Sequence, residues 1–171
     1  MMKQVKIDNV LAYYIGKADD NIIIVEENRH FLDCPYTLWE NIMPLVKDID
    51  RERIPIYIVR PNFFKTKYTY HQVDFLKNEE NIDVHSGKDL SFEELPEKVK
   101  EKIKSIQEKL THLTLVNEEI RHLKQVIEKD KEMIQKYPND FALKFSLHQL
   151  EGRLEELYKE KEEVEKSLEE I

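Results

Sequence analysis

The 171 residues carry 27 Lys and Arg against 35 Asp and Glu, a net charge of −8, and 36% of them are charged against 40% hydrophobic. An acidic chain of this kind offers no basic face to duplex nucleic acid, so no partner of that class is expected. The single cysteine, Cys34, excludes an internal disulfide and no window nears the ~18 uninterrupted apolar residues of a membrane span, so the sequence predicts a soluble, cytoplasmic protein with no membrane partner.

Residues 4–15 alternate in polarity and then become continuously apolar from Val10 to Ile15, and residues 21–26 form a second run rich in β-branched side chains. The turn-forming residues 16–20 between them predict a β-hairpin. Residues 29–33 could add a short third strand before Pro35. Thr37 and Glu40 then have the spacing of a capping box, predicting a helix. Leu38, Trp39, Ile42, Leu45, Val46 and Ile49 would face the sheet, and Pro44 is expected to break or kink the helix. Further strands are expected over 54–59 and 65–76, with a turn at 78–81, a strand over 82–85 and an end to the strand region by Lys88. Ser91-Phe92-Glu93-Glu94 repeats the capping-box spacing for a short helix, and Pro96 suits the first turn of a longer one.

From there heptads dominate. Val99, Ile106, Leu113, Ile120, Ile127 and Ile134 recur every seven residues. Beyond Tyr137-Pro138-Asn139-Asp140 a second stripe, Leu143, Leu147, Leu150, Leu154, Leu157, Lys161, Val164, Leu168 and Ile171, steps by four and three. Such stripes, flanked by Glu and Lys, predict helices of about 96–136 and 140–171 folded back as an antiparallel coiled-coil hairpin. In the first helix Asn117, Lys124 and Lys131 fall where its second seam should run, while Val116 and Leu123 stand one position earlier, so the stripe drifts. The expected fold class is α+β: a small, mainly antiparallel sheet with one covering helix over residues 1–95, then the hairpin over 96–171.

Chemistry is sparse. Three glycines, Gly16, Gly87 and Gly152, cannot build a phosphate-binding loop, and no cofactor or metal site is expected. His30 and Cys34 lack a second pair to complete a zinc site, and Asp83, His85 and Lys88 match no catalytic spacing, so no catalytic residue is assigned. The most informative patch lies between Glu52 and Asp74, where no acidic residue occurs. There Arg53, Arg60, Lys65, Lys67 and His71 interleave with Tyr68 and Tyr70, the residue types that hold a phosphate and stack a base or grip an acidic partner. On one strand Lys65, Lys67, Thr69 and His71 would share a face, with Tyr68 and Tyr70 on the other.

Two readings follow. The first is a non-catalytic interaction protein, a homodimer or tetramer assembled through Val99, Ile106, Leu113, Ile120, Ile127, Leu147, Leu150, Leu154, Leu157 and Leu168, that binds or blocks a protein partner. The alternative is a module that binds a nucleotide or other phosphorylated ligand through residues 53–73.

Overall fold

The computed structural model describes residues 2–7, 10–27, 35–62, 66–79 and 81–171, with residues 7, 10–12, 35–38, 81 and 83–86 as backbone only. The chain is α+β. Among the described residues it forms β1 (Lys3–Ile7), β2 (Val10–Ala18), β3 (Asn21–Glu26), α1 (Pro35–Val46), β4 (Arg53–Pro61), β5 (Tyr68–Leu76), β6 (Asn81–Leu90), a 3-10 turn (Phe92–Glu94), α2 (Glu97–Lys136) and α3 (Phe141–Glu170). No helix among them is long and apolar enough to cross a membrane. They divide into two compact units, Met1–Ile106 with Glu169–Ile171, and Gln107–Leu168.

In the first unit the six strands lie in sequence order as one sheet, antiparallel except for β3 and β4. That parallel pair needs a crossover, and α1 supplies it. Ile15, Ile22, Ile24, Ile54, Ile56 and Phe75 project from one face onto Ile42, Val46 and Ile49, each 2% exposed or less. On the other face Ile23, Val25 and Val59 are equally buried. There the Tyr70 ring meets Phe92 at 5.5 Å, and Lys102 of α2 donates to the backbone carbonyl of Lys17.

Several boundaries differ from those read in the sequence. The strand expected over 4–15 is two strands, β1 and β2, and the Asp8-Asn9 pair between them lies outside the described residues. The β2–β3 turn is tighter than expected: Ala18 pairs with Asn21, and Asp19 takes φ 52°, a left-handed conformation that Asp tolerates. The strand suggested at 29–33 lies outside the described residues. The helix α1 begins at Pro35, so Thr37 sits within its first turn rather than capping it, and the chain stays helical through Pro44 to Val46. Proline's fixed φ suits a first helical position.

β5 starts at Tyr68, not Lys65, because Asn62 closes a turn before it. Its side-chain oxygen accepts from the Thr66 and Lys67 N–H groups at 2.8 and 3.1 Å. β6 continues to Leu90 instead of ending by Lys88. The step from Asp74↔Asp83 to Gln72↔Lys88 spans two residues on β5 and five on β6, so a bulge absorbs the excess around Gly87. The second Ser-x-x-Glu motif makes only a 3-10 turn, with the Ser91 N–H donating to Glu94 Oε2 at 2.8 Å.

In the second unit the partners of α2 and α3 pair in reverse order along the chain. Lys109 Nζ donates to the Ser167 carbonyl at 3.2 Å, His112 meets Glu160 at 2.6 Å, Arg153 meets Glu119 at 3.2 Å, and Lys131 approaches Glu151 at 3.9 Å. Val116, Ile120 and Leu157 form the apolar cluster beneath them, with Leu123 and Leu154 against it. Asp140 caps α3, its Oδ1 accepting from the Ala142 and Leu143 N–H groups.

Candidate functional site

The basic-aromatic patch does not gather into one surface. Register places Arg60 opposite Thr69 and His71 opposite Ile58, so these polar groups share the α1-covered face of the sheet with Ile54 and Ile56. Tyr68 and Tyr70 alternate onto the opposite face. Lys67 lies just before β5, its carbonyl accepting from the Asn62 N–H at 2.9 Å, and Lys65 lies outside the described residues.

Each basic side chain of the patch on β4 and β5 is paired with a carboxylate. Arg53 Nη1 meets Asp74 at 3.3 Å, Arg60 Nε donates to Glu26 Oε1 at 3.2 Å, and His71 Nδ1 lies 2.8 Å from Asp89 Oδ1. Glu26 is the notable partner, a carboxylate only 3% exposed at the end of a parallel strand. Burial pushes its pKa above the ordinary carboxylate value, and the Arg60 charge and hydrogen bond oppose that rise. Burial also raises the Tyr68 phenol, with Tyr70 adding to it. A phosphate entering here would compete with carboxylates already in place. Because Glu26, Asp74 and Asp89 lie outside the 53–73 stretch, only strand pairing brings them to it.

No group of three His, Cys, Asp or Glu side chains among the described residues could hold a metal ion. His30 and Cys34, and the side chains of Asp83 and His85, lie outside what is described.

The heptad positions are covered to different degrees within the single chain. Val99, Ile106, Leu113, Ile120, Ile127, Leu157 and Leu168 are buried, and Leu147, Leu150 and Leu154 are half-buried. Burial therefore fades toward the 137–140 turn. Among the described residues six large apolar side chains are strongly exposed, and four of them, Met133, Tyr137, Phe141 and Phe145, lie within thirteen residues around that turn. Phe141 and Phe145 are the most open, at 79% and 64%. The heptad stripe does not include them, because they stand two positions before Leu143 and Leu147 and so face away from the seam. The signal available in the sequence was the acid-free run from Phe141 to Leu150, which carries both rings with Lys144 and His148.

Comparison of the chain with protein-family models, with curated proteins and with solved structures gave no match.

Proposed function

We propose that this is a non-catalytic interaction and assembly protein: residues 1–95 form an α+β domain, and residues 96–171 an antiparallel coiled-coil hairpin that self-associates and holds a protein partner. The observation that supports this reading most is the concentration of exposed Met133, Tyr137, Phe141 and Phe145 at one end of the helical unit. Exposing that much apolar surface to water is unfavourable, and concentrations of exposed apolar side chains mark association surfaces. The paired heptads supply the rigid helices on which such a surface can be presented. Native mass spectrometry of the full chain should show species of two or four copies. A single copy at every concentration would remove the self-association half of the proposal and leave the partner half to capture experiments.

The second reading, a nucleotide or other phosphorylated ligand held by residues 53–73, draws on Lys67 and on the unpaired edges of Arg60 and His71. It has less support, since Arg53, Arg60 and His71 are each engaged by a carboxylate. Calorimetric titration with nucleoside phosphates should give no binding heat, and a saturable heat lost in Lys67→Ala would restore this reading.

A further inference from the structure

The exposed rings of α3 lie on a stripe of their own. Phe141, Phe145, His148 and Gly152 step by four, three and four residues, the spacing of a second coiled-coil seam, and all four are exposed. The stripe has a large end and a small end. At Gly152 an added Cβ would meet nothing within 4 Å, so the helix backbone is open to close approach. A face with a projecting ring at one end and a notch at the other is complementary to itself when turned end for end.

We propose that this stripe is the contact with a second copy of the chain, α3 against α3 in antiparallel order about a two-fold axis between residues 146 and 147. This rests on the reading of the helical unit as self-associating, and it names the face that does so. In that register Phe141 of one copy seats over Gly152 of the other, and Phe145 packs beside His148, each contact occurring twice as an isologous interface requires. The flanking residues fit the same register. Lys144 and Glu151, both exposed, occupy equivalent positions one residue before Phe145 and Gly152. Antiparallel pairing sets Lys144 of each copy beside Glu151 of the other along one edge of the contact, where Glu151 exchanges its 3.9 Å approach to Lys131 of its own chain for the pair between copies. Asp140, the nearest acid to the rings, is turned back onto the α3 N–H groups as their cap.

A contact of about three helical turns with four buried rings should assemble in roughly the micromolar range. The test is sedimentation equilibrium on the full chain and three variants. Wild type should dimerise, and Phe141→Ala with Phe145→Ala should weaken dimerisation by on the order of a hundredfold. Lys144→Glu, which sets like charges together twice along that edge, should weaken it by roughly tenfold, and adding Glu151→Lys should restore it. A wild-type dimer indifferent to the Phe pair would overturn this face while leaving self-association standing. A dimer sensitive to the rings but not rescued by the charge exchange would overturn the antiparallel register. A wild-type monomer at all concentrations would overturn both this contact and the self-association on which it rests. Circular dichroism should show unchanged helix content in every variant, because the substituted side chains are exposed in the single chain.

Discussion

The sheet unit and the helical unit use the same apolar residue types, yet they differ in how much of that surface a single chain can cover. In the sheet unit both faces are closed: Ile22, Ile23, Ile24, Ile54, Ile56 and Val59 are all fully buried. Two helices lack that geometry. Each offers one narrow stripe to the other, and the remaining surface of α3 near the 137–140 turn keeps Phe141 and Phe145 in water. A sheet with crossover and flanking helices can complete its own core, whereas a helix pair leaves faces for another chain.

The contrast can be broken most directly by truncation in each unit. Ile56→Ala removes a fully buried side chain and should cost about 3 kcal/mol, while Phe145→Ala should change the stability of the single chain by less than about 0.5 kcal/mol. Denaturant unfolding followed by Trp39, the only tryptophan, reports the first, and helix circular dichroism the second. Equal losses would erase the distinction.

The buried pair of the sheet unit comes next. Arg60→Ala strips Glu26 of its partner and should cost about 2 kcal/mol, reduced from the usual loss for a broken buried pair because Arg60 is 35% exposed. The Glu26 pKa is raised in the folded chain, so the native state holds its proton after the unfolded state has released it. Stability from this group is therefore present at low pH and is lost as pH rises from the ordinary carboxylate range through the raised value. Glu26→Gln should flatten that slope in unfolding measured across mildly acidic pH, and an unchanged slope would contradict the assignment.

Smaller effects sharpen the same picture. A Cβ at Gly16 would collide with the Met2 sulfur, and Met2 is itself buried, so Gly16→Ala should cost about 1 kcal/mol by the same fluorescence assay. Arg53→Ala, whose guanidinium is 58% exposed beside Asp74, should fall within about 0.5 kcal/mol of wild type.

The sequence made the α+β class legible because β-branched runs and heptads carry opposite periods. Ile22 to Val25 is a short β-branched run flanked by turn residues, the pattern of a buried strand, and Val99 to Ile134 repeats every seven residues, the pattern of a long helix. The parallel β3–β4 pair was not legible, since apolar runs record burial and not strand direction. The β5 boundary was missed because one side chain, Asn62, decides it by closing a turn, a local hydrogen bond with no periodic signature. In the candidate site, Arg60 and His71 were legible as basic residues, but Glu26 lies 34 residues before Arg60 and Asp89 18 residues after His71. Only the register of the sheet brings each acid to its base. Phe141 and Phe145 were hidden by the strength of the neighbouring Leu143–Leu147 stripe, whose period passes them by.

The most direct test of the account is the absolute mass of the full chain in solution, by light scattering from low to high micromolar concentration. The mass should climb from the 20.6 kDa of one chain toward twice that value as concentration rises. A mass fixed at one chain throughout would contradict it, and would mean that the aromatic end of the helical unit is not a surface for a second copy.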